Sequence, residues 1–301
     1  MTSRSGVDES LHHGVAVGLA PNGSVAFAAG DPELPIYARS AAKPLQAQAM
    51  IAAGLQLPAD LLALACASHD GRPEHIAGVR RILAGAGLDD TALDNTPTWP
   101  VDPDATAELI RAGAAPTSLL QNCSGKHAAM LATSVINGWP TAGYLDVDHP
   151  VQTLIAEHLD AVTGGVSHIG IDGCGAPTPV CSLHGVARAV RRLALEAGPV
   201  YRAMTEHPEL VGGPTRDVTR LMRAVPGLLA KEGAEGVYVA ALPDGRAVAL
   251  KIADGANRAR VPVMVAALRT LGVEVPDDSL IEPVLGHGRR VGTVRSIVST
   301  P

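Results

Sequence analysis

Aromatic residues are nearly missing from this chain of 301 residues, which has one phenylalanine, two tryptophans and four tyrosines. Apolar residues still make up 47% of the sequence, so we expect a core built from alanine, valine, leucine and isoleucine. No stretch reaches the roughly 18 apolar residues that a membrane-spanning helix needs. The N-terminus also lacks the apolar segment of a secretory signal. We therefore expect a cytoplasmic protein without a membrane anchor.

An excess of positive charge is missing too, because the formal net charge is −6 and the basic residues are scattered. A protein that binds nucleic acid through the phosphate backbone needs the opposite balance, so we do not expect a nucleic-acid partner. The four cysteines are too few for a disulfide scaffold. In a cytosolic protein they indicate metal binding or catalysis rather than bridging.

Lysine is the scarcest charged residue, with four copies against twenty arginines. Arginine keeps its proton in proteins, whereas a buried lysine can lose it. Lys43, Lys126 and Lys251 each follow or precede a short motif with other reactive residues, and we treat them as candidate neutral amines. Lys231, between an alanine and a glutamate, is typical of an ordinary surface lysine.

The order of predicted elements is strands, a long helical middle, and strands again. Two β-hairpins are predicted over 14–28 and 237–252, around Asn22-Gly23 and Asp244-Gly245 turns. Further strands are predicted over 165–171 and 290–298. Helices are predicted over 40–53, 73–86, 103–112, 125–137, 150–162, 179–196, 214–224 and 258–271. This order favours an α+β fold, in one domain over 1–301, whose antiparallel sheet is closed by both chain ends.

Ser40 and Lys43 form a Ser-x-x-Lys motif at the start of a predicted helix, where positions i and i+3 share a face. A serine becomes a good nucleophile when a base takes its proton, and a desolvated lysine with a lowered pKa can be that base. Penicillin-recognising serine hydrolases use this arrangement. The alternative is a serine that caps the helix, with a surface lysine one turn on.

Two glycine-rich motifs carry candidate metal ligands. Cys123 precedes Lys126 and His127, and Asp172 precedes Cys174. Zinc binds thiolates, imidazoles and carboxylates, usually four in a tetrahedron, so the two cysteines are natural ligands and His127 is the ordinary third one. Lys126 could bind the same ion as a neutral amine, and Asp172 could bind it directly or hold a water. The alternative is a pair of small buried cysteines beside turns.

Ser68 and Lys251 are weaker candidates on sequence alone. Ser68 is followed directly by His69 and Asp70, but consecutive residues point in different directions and do not form a catalytic triad. Ser68 either faces a cleft or merely begins a loop. Lys251 lies on a predicted strand, where it either borders a cleft or protects a sheet edge.

Together these motifs resemble the L-asparaginase II family, in its rhizobial, zinc-containing class. The resemblance covers nearly the whole chain. Its segments are 39–46 (RSAAKPLQ), 66–69 (CASH), 122–130 (NCSGKHAAM), 172–177 (DGCGAP), 211–213 (VGG) with Arg216-Asp217, and 231–236 (KEGAEG).

The resemblance implies a fold like that of serine β-lactamases and penicillin-binding proteins. It implies two serine–lysine pairs, Ser40 with Lys43 and Ser68 with Lys251. It also implies a homodimer that hydrolyses L-asparagine to L-aspartate and ammonia.

For the metal, the resemblance implies one zinc ion held by Cys123, Cys174 and Lys126, a choice that replaces His127 as third ligand. Arg39, Asp172 and His127 are expected to bind substrate. Ser40 is our first choice of nucleophile. The other functions that fit the motifs are a β-lactamase-like amidase or peptidase on the same fold and a zinc-binding protein without catalysis.

Overall fold

The strands among the described residues form three antiparallel sheets. The computed structural model describes residues 1–276 and 280–297. In chain order the described strands are β1 (Thr2–Arg4), β2 (Val7–Ser10), β3 (Gly14–Leu19), β4 (Val25–Ala29), β5 (Pro35–Tyr37), β6 (His168–Ile171), β7 (Pro177–Ser182), β8 (Leu229–Glu232), β9 (Val237–Ala241), β10 (Ala247–Ile252), β11 (Val284–Gly286) and β12 (Arg289–Val294). The largest sheet has the order β4-β3-β10-β9-β8. It draws strands from both halves of the chain, as the α+β prediction requires.

The region between these strands is mostly helical. The described helices are α1 (Lys43–Ala52), α2 (Ala59–Ala65), α3 (Pro73–Gly85), α4 (Pro103–Arg111), α5 (Ser124–Ile136), α6 (Pro150–Thr163), α7 (Leu183–Glu196), α8 (Pro199–Glu206), α9 (Pro208–Val211), α10 (Asp217–Ala224) and α11 (Asn257–Thr270). A 3₁₀ turn over Arg39–Ala42 precedes α1. The helix predicted over 179–196 is wrong at its start, because β7 occupies the first residues and α7 begins only at Leu183.

Both predicted hairpins are confirmed. Gly23 and Gly245 adopt φ of +88° and +94° in the turns, a left-handed conformation that glycine accepts without steric cost. Between the two hairpins, β3 pairs antiparallel with β10, which brings the two chain ends into one sheet. The predicted tail strand is β12, in a four-stranded sheet of order β11-β12-β1-β2; Val298, its predicted end, lies outside the described residues.

The core lies between the large sheet and the helices. Every residue of β9 is buried, so both of its faces are covered, and α7 and α11 pack against this sheet. Buried alanine, valine and leucine from the sheet and the helical region belong to one apolar cluster, as the composition predicts. The single domain over 1–301 stays a prediction. None of the helices in the described ranges is long and apolar enough to cross a membrane.

Gly125 sets how closely two helices of the middle region approach. A Cβ atom on this residue of α5 would lie 2.3 Å from the carbonyl oxygen of Leu64 in α2, which is too close for any side chain. The contact brings the first turn of α5, with Lys126, against the segment that follows α2. The same close packing therefore places the candidate ligands beside Ser68.

Replacing Gly125 with alanine should destabilise the protein by about 1–3 kcal/mol, because the added methyl group overpacks this contact. The matched control is Gly85→Ala at the end of α3, where nothing lies within 4 Å of the new Cβ atom. That substitution should be neutral or stabilising by up to about 1 kcal/mol. Urea unfolding of both variants measures the difference, and equal stabilities would contradict this account of the α2–α5 contact.

Candidate active site

Ser68 lies between two lysine amines. It follows α2, and its backbone N–H donates to the carbonyl oxygen of Val211 at 2.9 Å. The side chain is almost fully buried. Lys43 Nζ lies 3.2 Å from Ser68 Oγ and Lys231 Nζ lies 2.9 Å from it, both as hydrogen-bond donors. A serine hydroxyl within hydrogen-bond reach of an amine that can act as a base is suited to nucleophilic catalysis.

Lys231 was expected on the surface, and that expectation is wrong. Its exposed fraction is 0%, because α8, α10 and the 3₁₀ turn over Arg39–Ala42 pack against β8, the edge strand that carries it. Burial lowers the pKa of the Lys231 amine to about 8, with Lys43 and Arg216 acting in the same direction and Glu232 opposing them. Lys231 is also one of only four lysines, and this scarcity was the sequence feature that could have marked it as a candidate functional residue.

The predicted pairing of Lys251 with Ser68 is wrong. The Ser68 hydroxyl bonds to Lys43 and Lys231 instead. β9 lies between the strands of Lys231 and Lys251. The half-buried Lys251 amine donates to the backbone oxygens of Glu235 at 2.7 Å and of Ile252 at 2.5 Å. A catalytic role for Lys251 stays a prediction, without Ser68 as its partner.

Ser40 lies at the more accessible side of the same region. It belongs to the 3₁₀ turn and is partly exposed. Lys43, three residues later, directs its amine to the carbonyl oxygen of Ala67, to Ser68 and to Cys123. The lysine of the Ser40-x-x-Lys43 motif therefore contacts Ser68 rather than Ser40, the serine of its own motif. The role of Ser40 as nucleophile stays a prediction.

Arg39 has a strained backbone and an ordered ion pair. Its φ of +52° is uncommon for a residue with a side chain, and such conformations cluster at functional sites. The Arg39 Nε and Nη2 atoms lie 2.9 and 2.8 Å from Asp172 Oδ1. Both side chains are partly exposed, so they form an accessible pair of opposite charges.

The three candidate zinc ligands lie together. Cys123 precedes α5 and Cys174 lies in the β6–β7 turn, and the two buried thiols share a small apolar cluster with Ala176. Lys126 Nζ donates to Cys174 Sγ at 3.3 Å. Lys43 Nζ lies 3.2 Å from Cys123 Sγ, so this amine contacts both Cys123 and Ser68.

The charges around the thiols favour one thiolate. The hydrogen bond from Cys174, together with the Lys43 and Lys126 amines, holds the pKa of Cys123 well below its usual value. Burial opposes the charged form of Lys126, but the neighbouring thiols outweigh it and raise the pKa of that lysine. A metal must displace this proton to bind the amine, so metal affinity at such a site falls as the pH falls.

Two thiolates and a neutral amine fit zinc, which takes nitrogen and sulfur ligands. Within 1–276 and 280–297, no group of three or more histidine, cysteine, aspartate or glutamate side chains is placed to hold a metal ion. Beside the two cysteines, the Lys126 amine, 3.3 Å from Cys174 Sγ, is therefore a candidate third ligand.

His127 is buried in the core rather than at an accessible surface. Its Nδ1 atom lies 2.9 Å from the hydroxyl of Tyr144, and its exposed fraction is 0%. Burial lowers the pKa of His127 well below its usual value, so the ring is neutral. The contacts are those of a side chain that supports α5, and direct substrate binding by His127 stays a prediction.

Comparisons with known proteins show the family of this chain and a similar fold. A family model described as L-asparaginase II matches residues 1–296. A search of curated proteins gives no match. Among solved structures, the chain is similar to a protein of Bacteroides dorei DSM 17855 provisionally described as a beta-lactamase, with a TM-score of 0.50 and 15% identity over 86% of this chain and 93% of that one. At this identity the likeness shows the fold alone, and it confirms the predicted β-lactamase-like fold.

Proposed function

Because the chain belongs to the L-asparaginase II family and is thus a hydrolase of the L-asparaginase class, we propose that it cleaves L-asparagine through Ser68. The products are L-aspartate and ammonia. The observation that carries the proposal is the contact of one serine hydroxyl with two buried lysine amines, at 3.2 and 2.9 Å. Ser40, the first choice from the sequence, is the second candidate nucleophile.

In the proposed reaction, Ser68 Oγ attacks the side-chain carbonyl carbon of asparagine while a lysine amine takes the hydroxyl proton. Lys231 is the better base, because its pKa of about 8 lies close to a neutral working pH. The protonated lysine then gives its proton to the leaving nitrogen, and ammonia departs. Water attacks the resulting ester through the same base and releases aspartate. Lys43, in contact with the same hydroxyl, stabilises the charge that develops on it.

Arg39 and Asp172 are suited to bind the substrate's amino-acid end. A guanidinium binds a carboxylate through two parallel hydrogen bonds, and a carboxylate complements the α-ammonium group. Both side chains are partly exposed while the reacting groups are buried. We therefore assign the α-carboxylate to Arg39 and the α-ammonium to Asp172. His127 is assigned to supporting the helix that carries Lys126.

We also propose that Cys123, Cys174 and Lys126 hold a zinc ion. Their proximity and donor chemistry support this assignment. When bound, zinc would supply a Lewis-acidic centre, weakened by its two thiolate ligands, that can anchor polar groups of the substrate or shape the pocket. Lys43 connects the two halves of the site, since its amine reaches both Cys123 and Ser68.

A homodimer and a cytoplasmic location remain proposals from the family resemblance; sedimentation of the purified protein tests the dimer.

Ser68→Ala should lower kcat for L-asparagine hydrolysis by roughly 10⁴-fold or more, as expected when a nucleophile is removed. Ser40→Ala should lower it far less, because Ser40 is not bonded to the amines that take the proton. Ammonia release measured at saturating asparagine tests both variants, with circular dichroism as the check on folding. An inactive Ser40→Ala enzyme beside an active Ser68→Ala enzyme would reverse the assignment.

Cys174→Ser should strip or weaken the metal, because a hydroxyl is a much poorer zinc ligand than a thiolate. Cys181→Ser is the matched control, since Cys181 is also a buried free cysteine but lies in the core away from Cys123 and Lys126. Elemental analysis after dialysis should give less zinc in the first variant and wild-type zinc in the second. Full zinc in Cys174→Ser would refute the ligand set.

A further inference from the structure

A chain of buried charges runs behind Lys231. Arg216 Nη1 lies 3.1 Å from Asp70 Oδ1, and its Nη2 lies 3.1 Å from Glu232 Oε1. The second oxygen of Glu232 lies 3.1 Å from Lys231 Nζ, and Lys231 in turn donates to Ser68. Since Asp70 is two residues after Ser68, the contacts close a ring that returns to the segment where it started.

The ring joins three separate parts of the fold. Ser68 and Asp70 lie in the segment after α2, Arg216 is the residue before α10, and the Lys231–Glu232 pair ends β8. Asp70 and Glu232 are 3% exposed and Arg216 is 22% exposed at their side chains. Buried charges of this kind are costly unless they are paired, so their arrangement calls for a role in the site.

Gly213 has no side chain, and this leaves room for the Asp70 carboxylate in the ring. A Cβ atom on Gly213 would lie 1.8 Å from Asp70 Oδ2, and its φ of +156° disfavours other residues. The carbonyl oxygen of Gly213 also accepts the backbone N–H of Arg216 at 3.2 Å. One short turn thus fixes the carboxylate of Asp70 and the start of the arginine side chain that binds it.

We propose that Arg216 is a positioning residue that keeps the Lys231 amine available as a base, by dividing the Glu232 carboxylate between itself and that lysine. The role of Lys231 as base rests on the proposed function; the contacts of Arg216 do not. Glu232 alone would hold Lys231 as an ammonium ion. The Arg216 guanidinium also binds Glu232, which weakens the attraction of that carboxylate for the Lys231 ammonium. The positive charge of Arg216 also repels the ammonium.

The electrostatics of the surroundings agree with this direction. The charged or titratable groups that act on Lys231, or that it acts on, come from several elements and are Glu232, Lys43, Arg216 and Cys66. Burial and the two cations Lys43 and Arg216 favour the neutral amine, while Glu232 favours the ammonium. Without Arg216, Asp70 would lose its ion-pair partner, and Glu232 would keep Lys231 as its nearest cation. An adjacent carboxylate favours a charged lysine.

The test is a direct titration of Lys231 by NMR in protein labelled at lysine Cε. Only four lysines occur in the chain, so the spectrum has four lysine signals, which single Lys→Arg variants assign. Wild-type Lys231 should titrate near 8. Arg216→Gln should move its midpoint upward by about one pH unit or more, and Glu232→Gln should move it downward.

The matched control is Arg72→Gln, which removes an arginine from the same segment as Asp70 but one that pairs with Asp102. It should move the Lys231 midpoint less than half as far as Arg216→Gln. Arg216→Lys keeps a positive charge but cannot bridge two carboxylates as a guanidinium does, so it should give a smaller upward shift. The half-buried Lys251 serves as an internal reference in every sample.

Equal or same-direction shifts for Arg216→Gln and Glu232→Gln would overturn the proposal, and so would an unshifted Lys231 in a folded Arg216→Gln protein. If Arg216→Gln does not fold, the opposite shifts expected of Arg216→Lys and Glu232→Gln decide the question. In active enzyme, the acid limb of the kcat/KM profile should follow the NMR midpoint. A wild-type protein without asparagine hydrolysis would refute the proposed function, while the titration would still decide the role of Arg216.

Discussion

The contact on which the site depends is the burial of the Lys231 amine against the Ser68 hydroxyl. An ammonium ion in the interior is strongly disfavoured unless it is paired, and the structure meets this constraint with Glu232 on one side and a serine on the other. Three other features of the fold surround this contact. The 3₁₀ turn before α1 covers the edge strand β8, the close α2–α5 contact at Gly125 brings the thiols alongside, and Lys43 spans the gap between serine and thiol.

The site has two layers with different chemistry. Ser68, Lys43 and Lys231 are buried, where low dielectric strengthens every electrostatic contact. Arg39 and Asp172, by contrast, are partly exposed and paired with each other. Under the proposed function, a substrate that binds there would replace this ion pair with its own carboxylate and ammonium groups.

Much of the fold could be predicted from local sequence. The Asn22-Gly23 and Asp244-Gly245 turns specify hairpins directly, because few residues accept the left-handed conformation found there. The sequence also singled out the cysteines and Lys126, which do lie together, although it was the family resemblance that replaced His127 with Lys126. Chemistry alone could not make that choice, since histidine is the commoner ligand and its burial against Tyr144 depends on tertiary packing.

The partner of Ser68 could not be predicted for a similar reason. Lys231 and Lys251 both lie on strands, and one sequence does not show that β8 is an edge strand or that the turn before α1 covers it.

The most direct test of the account is to mix enzyme with L-asparagine, quench in acid within milliseconds, and locate the acyl group by peptide fragmentation in a mass spectrometer. The account predicts an aspartyl ester on Ser68; an ester on Ser40 would contradict it.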